Sequence, residues 1–347
     1  MTDYNYSNPL VPTYAVSAWL RAVPHPIAIT GGTGFVGSHL VETLCAAGVK
    51  PRVLVRDPEK PRWIGKAPVD WVRGSLHDAD SLTRLVEGAG TVIHLAGVVR
   101  AGRASDFDRG NHEGTGNLVA AAAGAAPSAR FVHVSSLAAA GPSPEPEGVA
   151  PDCDPAPISW YGKSKLAAER EVRALADRTW WTIVRPPAIY GPRDSDIFEF
   201  FKMANRGMVA LPSGERWLTV AWVGDVVRSV FSAAVADARE TYHLGEPEPM
   251  SLDDLISELC RAGGVKAGVL RVPPILVSGL GAVGSVLQKL GWRRLALTGD
   301  KSRELLARHW TARTRGSLAQ LGVDDVTRFS DGAVATWAWY RDQGWLK

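Results

Sequence analysis

A glycine-rich turn that separates an apolar strand from a helix is the decisive segment of this sequence. The run IAITGGTGFVG at residues 27–37 leads apolar residues into glycines, and Val36, Leu40 and Leu44 then repeat at helical spacing. Backbone N–H groups and the positive end of the helix dipole converge at such a turn, where glycines let a pyrophosphate reach the backbone. The segment therefore predicts a dinucleotide-binding site. The residues expected at the cofactor are Gly31, Thr33, Gly34, Phe35, Val36 and Gly37.

Strand and helix patterns alternate beyond this turn. Strands are predicted at 52–55, 69–72, 91–96, 130–135 and 181–184, and helices at 81–87 and 111–123. Such alternation indicates an α/β fold with a mostly parallel sheet, helices on both faces and ligands at the carboxyl ends of the strands.

A tyrosine and a lysine four residues apart carry the second chemical signal. Tyr161 and Lys165 begin an apolar-periodic stretch, so on a helix their side chains project from one face. A cation beside a phenol lowers the pKa of the phenol, and a shift from about 10 toward 7 corresponds to roughly 4 kcal/mol. Ser135 and Ser136 end a predicted strand 25 residues before this tyrosine. The pattern predicts proton transfer near neutral pH.

Together these features resemble the short-chain dehydrogenase/reductase superfamily. The closer resemblance is to its extended branch, the NAD-dependent epimerase/dehydratase and 3β-hydroxysteroid dehydrogenase-like families, and it covers roughly residues 26–250. The motifs that carry it are TGGTGFVG at 30–37, VIHLAG at 92–97, NHEGTGNL at 111–118, YGKSK at 161–165 and VRPPAIYGP at 184–192.

The resemblance implies a catalytic set. Tyr161 moves the proton, and Ser136, five residues before Gly141, holds the substrate oxygen. Lys165 tunes the tyrosine and holds the nicotinamide ribose, while Asn111 supports a water-linked proton relay. The further cofactor contacts that it implies are Ser75, Leu76, Ala96, Gly97 and Pro186, together with Tyr161 and Lys165.

The same resemblance implies how the chain is divided. We expect a doubly wound Rossmann domain over residues 26–190, and a smaller substrate-binding lobe formed mainly by residues 191–347. A segment near 219–245 is expected to return to the first domain. Residues 1–25 form an N-terminal extension, and the resemblance leaves a homodimer open.

Cofactor choice depends on the end of the second predicted strand. Arg56 stands there, and an arginine at this position attracts a ribose 2′-phosphate, which favours NADP(H). Asp57 follows directly and would favour NAD(H) if it turned inward, so NAD stays an alternative. Relatives usually carry an aspartate in place of Ser75, which puts the adenine contact in question.

Two substitutions bear on the substrate. Nucleotide-sugar epimerases that resemble this chain carry an asparagine in place of Ala188 and an arginine in place of Leu218, and both hold phosphate. Arg193 and Arg216 lie close by in sequence, so a diphosphate clamp stays open. An apolar or ring-shaped substrate is favoured by the tryptophans expected around the site. These are Trp160, Trp217 and Trp222.

Composition narrows the partners. The formal net charge is +3 without a basic run, which argues against nucleic acid. Three scattered cysteines indicate unpaired thiols in a reducing, cytoplasmic setting, and no metal site is expected. The uncharged segment 272–287 is too short to cross a membrane. We expect a buried helix there, with a peripheral membrane contact as the alternative.

The favoured hypothesis is an NADP(H)-dependent oxidoreductase acting on a lipophilic ketone or secondary alcohol. The alternatives are a nucleotide-sugar epimerase or dehydratase that retains its cofactor, and a non-catalytic dinucleotide sensor.

Overall fold

The computed structural model describes residues 10–175, 179–289 and 298–346 of the chain. Its strands are β1 (Ile27–Thr30), β2 (Arg52–Val55), β3 (Asp70–Arg73), β4 (Thr91–His94), β5 (Arg130–Val134), β6 (Trp180–Arg185), β7 (Ala188–Tyr190), β8 (Met208–Pro212), β9 (Trp217–Leu218), β10 (Val220–Trp222), β11 (Thr241–His243), β12 (Met250–Ser251), β13 (Gly268–Val272) and β14 (His309–Trp310). Seven of them form one parallel sheet in the order β3-β2-β1-β4-β5-β6-β11.

Some of the helices cover the two faces of this sheet, and others lie in the C-terminal part of the chain. The helices are α1 (Thr13–Ala22), α2 (Phe35–Ala46), α3 (Ala79–Val86), α4 (Ala104–Phe107), α5 (Gly114–Ala125), α6 (Leu137–Ala140), α7 (Trp160–Arg173), α8 (Phe198–Asn205), α9 (Val223–Val235), α10 (Leu252–Gly263), α11 (Pro274–Lys289), α12 (Gly299–Leu306), α13 (Arg315–Leu321) and α14 (Phe329–Asp342). One apolar cluster packs α1, α2 and α9 against the sheet, and a second packs α3, α5 and α7. The predicted doubly wound α/β fold is confirmed.

The predicted elements lie within a few residues of the observed ones. The main departure is the helix predicted over 111–123, because the chain first forms a π-helical turn at Asp108–Glu113 and only then becomes α5. The extra residue in a π turn changes the direction of its side chains, and such turns often occur at functional sites.

The segment 219–245 contributes to the main sheet. Its helix α9 packs on β5 and β6, and its strand β11 pairs with β6 in parallel. Most elements after β6 lie outside that sheet, as a β7–β10 pair, a β8–β13 pair and the three-stranded sheet β12-β9-β14. The lobe boundaries stay a prediction. Before β1, helix α1 packs on α2 and α9.

The uncharged segment 272–287 departs from expectation. It forms helix α11, but Ile275, Leu276, Leu280 and Val283 are more than half exposed, so the prediction of a buried helix is wrong. Among the residues that the structure describes, none of the helices is long and apolar enough to span a bilayer.

Candidate active site

The glycine turn leaves no room for side chains. Gly31 has φ +74°, and a Cβ there would lie 2.5 Å from the backbone nitrogen of Ala96. A Cβ on Gly37 would lie 2.2 Å from the carbonyl oxygen of Gly31. Gly34 caps α2, and Thr33, Phe35 and Val36 stand at the turn and in its first helical turn. This helix N-terminus, where the glycines leave the backbone uncovered, fits the pyrophosphate of a dinucleotide.

Two neighbouring serines after β5 face different partners. The Ser136 hydroxyl lies near enough to the phenol of Tyr161 to act against the rise of the phenol pKa, and it accepts from the backbone N–H of Ala138. The Ser135 hydroxyl donates instead to Glu169 Oε1 at 2.6 Å, in the protein interior. The structure thus brings Ser136, and not Ser135, to the tyrosine.

Helix α7 places Tyr161 at its first turn. Ser159 caps the helix by accepting from the backbone N–H of Gly162 at 3.0 Å, which holds the tyrosine at the start of the helix. The ring of Phe107 lies 6.1 Å from the tyrosine ring, centroid to centroid. An apolar ring therefore borders the phenol.

The protein alone does not lower the pKa of the tyrosine. Burial raises the pKa of Tyr161 to about 12, although the hydrogen bond from Ser136 opposes the shift. Burial lowers the pKa of Lys165 to about 8, and Glu169 opposes that shift. The Lys165 ammonium donates to the carbonyl oxygen of Val134 at 2.8 Å. The expected lowering toward 7 is therefore wrong for these protein groups, because desolvation raises the pKa of the phenol and the charges of Glu304 and Asp196 add to that rise.

Asn111 lies in the π-helical turn and is almost fully buried. Its amide group donates to the carbonyl oxygen of Val98 and to Ser164 Oγ, and it accepts from the Val98 N–H at 2.6 Å. A Cβ on Gly97 would lie 3.0 Å from Asn111 Oδ1 and 3.8 Å from Lys165 Nζ. The loop after β4, the asparagine and the lysine thus meet at one place.

An ion-pair network beneath the site was not foreseen. Glu169 accepts two hydrogen bonds from Arg185, at 2.8 and 2.7 Å, and contacts Arg173 at 3.1 Å. Although burial opposes it, these cations and the Ser135 hydroxyl hold the pKa of Glu169 below its usual value. Glu169 stands four residues after Lys165, so the helical spacing alone already indicates that the two side chains lie on one face of the helix.

Helix α12 closes the site from the C-terminal part of the chain. Both carboxylate oxygens of Asp300 accept from the backbone N–H of Trp160 at 3.0 Å. The charges of Glu304 and Asp196 contribute to the raised pKa of Tyr161. No local sequence pattern predicted these neighbours.

The candidate cofactor residues beyond the glycine turn lie at the carboxyl ends of strands. Arg56 is exposed directly after β2, and Asp57 pairs with Lys60 at 3.2 Å. Three further candidates, Ser75, Leu76 and Pro186, lie in two loops. Ser75 and Leu76 follow β3, and Pro186, after β6, is buried.

Hydrogen bonds hold Ser75, Leu76 and Pro186 in place. The Ser75 hydroxyl accepts from the backbone N–H of His77, and the carbonyl oxygen of Leu76 accepts from Asn117 at 2.8 Å. The Pro186 carbonyl oxygen accepts from the N–H of Leu137 at 2.9 Å.

The two arginines considered for a phosphate clamp are bound within the protein. Arg193 is buried and donates to Ser38 and Glu42, each at 2.8 Å. Arg216 donates to the carbonyl oxygens of Leu305 and of the turn 212–214. The structure thus places neither guanidinium as a free phosphate ligand.

The three tryptophans are not grouped around the site. Trp222 packs in an apolar core with Tyr190, at a ring distance of 5.5 Å, which fits a packing role for this side chain. Trp160 is partly exposed beside Tyr161, and Trp217 lies in the three-stranded sheet.

Comparison with known proteins agrees with this fold and identifies the family. The model of the NAD dependent epimerase/dehydratase family matches residues 27–245. A ceramide reductase of Caulobacter vibrioides is 37% identical over 328 residues, covering 92% of this chain and 96% of that protein. A ketoreductase of Stigmatella aurantiaca, acting on 4-hydroxy-2-methyl-3-oxo-4-farnesyl-3,4-dihydroquinoline-1-oxide, is 29% identical and covers 71% of this chain and 75% of its own length.

A solved structure supports the fold alone. The dTDP-glucose 4,6-dehydratase of Streptomyces venezuelae, solved with NAD, superposes with a TM-score of 0.74 at 24% identity, covering 92% of this chain and 98% of that one.

Proposed function

The chain belongs to the NAD-dependent epimerase/dehydratase family of the extended short-chain dehydrogenases/reductases, and from that premise we propose that it reduces a ketone in a ceramide-like lipid. Family and relatives together make it an NAD-dependent oxidoreductase, epimerase or dehydratase. The observation that carries the narrower proposal is the meeting of three groups at one place: the Tyr161 phenol, the Ser136 hydroxyl that lowers the pKa of this phenol, and Lys165 four residues along the same helix.

The chain's own residues supply the acid for carbonyl reduction. The glycine turn would hold the pyrophosphate of a nicotinamide dinucleotide and Lys165 its nicotinamide ribose, and the cofactor would supply the hydride for the carbonyl carbon. The pKa of the Tyr161 phenol lies at about 12, so the phenol is protonated at neutral pH and carries the proton that it would donate to the carbonyl oxygen. Ser136 hydrogen-bonds that oxygen, and Asn111 supports reprotonation behind Lys165.

An apolar substrate is supported by what surrounds the site. Ala188 and Leu218 stand where phosphate-binding residues occur in the epimerases, and Arg193 and Arg216 are engaged elsewhere. The ring of Phe107 borders the catalytic phenol. The name of the ceramide reductase relative then supports a lipid that carries the ketone.

NADP(H) is the cofactor that the charges favour. Arg56 is exposed at the end of β2, and the pKa of Asp57 lies below its usual value because Lys60 hydrogen-bonds its carboxylate. An exposed cation at this position, with the neighbouring carboxylate paired to Lys60, suits a 2′-phosphate.

Turnover with defined substrates tests the proposal. NADPH or NADH would be mixed with a ceramide-like ketone, a steroid ketone and an aryl ketone, in parallel with UDP- and dTDP-sugars. We expect oxidation of NADPH with the ceramide-like ketone, and a loss of about 10²–10⁴-fold in Tyr161→Phe with cofactor binding retained. Conversion of a nucleotide sugar would instead support the epimerase alternative. Tight dinucleotide binding with no turnover of any substrate would support a sensor.

A further inference from the structure

Helix α11 presents an apolar face to solvent. At about 100° per residue, its four exposed aliphatic side chains fall within an arc of roughly 140°. These side chains and their exposed fractions are Ile275 at 79%, Leu276 at 56%, Leu280 at 60% and Val283 at 56%. Soluble proteins rarely leave such a contiguous apolar stripe uncovered without a use for it.

The opposite face of α11 packs toward the catalytic tyrosine. Val277 is buried, and a Cβ on Gly281 would lie 2.7 Å from Ser302 Oγ of α12. The N–H of Gly299 donates to Ser285 Oγ at 2.8 Å, which further joins the two helices. Because Asp300 of α12 binds the N–H of Trp160, the exposed stripe lies one helix away from the candidate active site.

The strand that leads into α11 is exposed as well. Within the β8–β13 pair, the side chains of Val269, Leu270 and Met208 are exposed by 42%, 53% and 57%. The N–H of Leu276 bonds to the carbonyl oxygen of Pro273, so the helix follows the strand without a long linker. The apolar surface therefore extends beyond a single helix.

The sequence that contains this stripe carries basic residues and no acidic one. From Cys260 to Gly299 the sequence contains no acidic residue, and its basic residues are Arg261, Lys266, Arg271, Lys289, Arg293 and Arg294. An apolar helix flanked by basic residues suits the interface of an anionic bilayer. A second copy of this surface would present the same positive charge, which disfavours self-association through it.

Further arginines gather at the start of α11. A cavity of about 400 Å³ is lined by residues 213–216, Pro274, Leu306, Arg308 and His309. Burial lowers the pKa of Arg216, and the charges of Arg271 and Arg308 add to that shift, so the three guanidiniums lie near one another. Two carboxylates are also present, since Asp253 pairs with Arg271 and Glu215 lines the cavity.

We propose that the exposed face of α11, with the basic residues around it, docks on an anionic lipid bilayer, from which the substrate reaches Tyr161. The proposed docking rests on the exposed apolar side chains of α11 and on the basic residues of this segment. The route of the substrate rests on the proposed reductase function.

Vesicle sedimentation tests the docking. Phosphatidylcholine vesicles with and without phosphatidylglycerol would be mixed with the wild type, with Leu276→Asp/Leu280→Asp, and with Val334→Asp as a control. Val334 is 53% exposed on α14, so the control places a charge on another surface. We expect binding to the phosphatidylglycerol vesicles that weakens with salt, and about tenfold weaker binding of the double variant alone.

Three results would overturn the docking. They are no binding by the wild type, unchanged binding by the double variant, and equal losses in the control. A wild-type dimer in gel filtration that the double variant dissociates would assign the face to a second copy instead. Equal thermal midpoints of the three proteins would exclude misfolding as the cause.

The route of the substrate has a separate readout. With a vesicle-embedded ceramide-like ketone, the double variant should lose turnover in proportion to its binding. With a short, water-soluble ketone its turnover should match the wild type, and equal loss with both ketones would contradict the route. If no ketone is reduced by any variant, the proposed function fails while the sedimentation result still decides the docking.

Discussion

Ser135 and Ser136 are chemically identical neighbours with different surroundings. One hydroxyl supports a buried carboxylate, and the other contacts the candidate catalytic phenol. Along an extended chain successive side chains point to opposite sides, so only one of the two can reach the site. Their substitutions should therefore separate stability from catalysis.

We expect Ser136→Ala to lower kcat/KM about 10²-fold, because the substrate oxygen loses a hydrogen bond in the transition state. Ser135→Ala should keep most activity but lower the free energy of unfolding by roughly 1–3 kcal/mol, since buried Glu169 loses a donor. Steady-state kinetics and urea unfolding of both variants check this. An inactive Ser135→Ala beside an active Ser136→Ala would reverse the assignment.

The charge of Lys165 should appear in the pH profile. Its ammonium is protonated below its pKa of about 8 and neutral above it, because burial disfavours the charged form. For reduction, kcat/KM should stay level below pH 8 and fall about tenfold per pH unit above it. Lys165→Arg keeps its charge throughout, so its profile should lack this fall even if the enzyme is slower. A level wild-type profile to pH 9 would contradict the role.

Cofactor preference should depend on Arg56. We expect Arg56→Asp to weaken NADPH binding about 10- to 150-fold relative to NADH, because a charge-assisted contact to the 2′-phosphate is lost. Fluorescence titration with both cofactors measures the change, and Arg84→Asp, at an exposed position of α3, serves as the control. A wild type that binds NADH more tightly than NADPH would assign the ribose to Asp57 instead.

At the scale of elements, α7 and the glycine turn carry most of the candidate site. Tyr161, Lys165 and Glu169 follow each other every four residues, so one face of α7 presents the acid, the ammonium and its supporting carboxylate. The glycine turn joins β1 to α2 with its backbone uncovered.

The same glycine-to-alanine change should act differently in two helices. In α2, Gly37→Ala should abolish dinucleotide binding, because the new Cβ would meet the Gly31 carbonyl oxygen at 2.2 Å. In α5, Gly124→Ala meets no atom within 4 Å and should raise the free energy of unfolding by about 0.5–1 kcal/mol. Thermal unfolding with and without NADPH measures both effects. Undiminished NADPH binding by Gly37→Ala would contradict the assigned cradle.

At the scale of the whole molecule, a buried ion pair connects distant parts of the chain. Arg193, after β7, reaches α2, where it donates to Ser38 and Glu42, and its guanidinium lies 5.2 Å from the centre of the Trp63 ring. The Arg193–Glu42 ion pair lies in the interior, so each charge stabilises the other in its buried position.

We expect Arg193→Met to lower the free energy of unfolding by about 3–5 kcal/mol, because Glu42 would be left buried without its cation. Arg193→Met/Glu42→Leu should recover much of this loss. Urea unfolding measures the free energies of unfolding of both variants. UDP is expected to compete only weakly with the substrate, and this competition should be the same in either variant. If the wild type instead bound UDP tightly and Arg193→Met lost that binding, Arg193 would be assigned to a phosphate-binding clamp.

The sequence by itself determined the alternation of strands and helices, the glycine turn, and the placing of Tyr161 and Lys165 on one face of a helix. These depend on spacings between near neighbours, which a helix or strand converts directly into geometry.

Only the tertiary structure decided how these groups are surrounded. The phenol pKa rises instead of falling because packing buries Tyr161, while Lys165 reaches the Val134 carbonyl oxygen. Arg193 binds Glu42, 151 residues away in sequence, and α11 leaves its apolar face exposed. Burial and charge partners come from distant segments that pack together, so local spacing could not predict them.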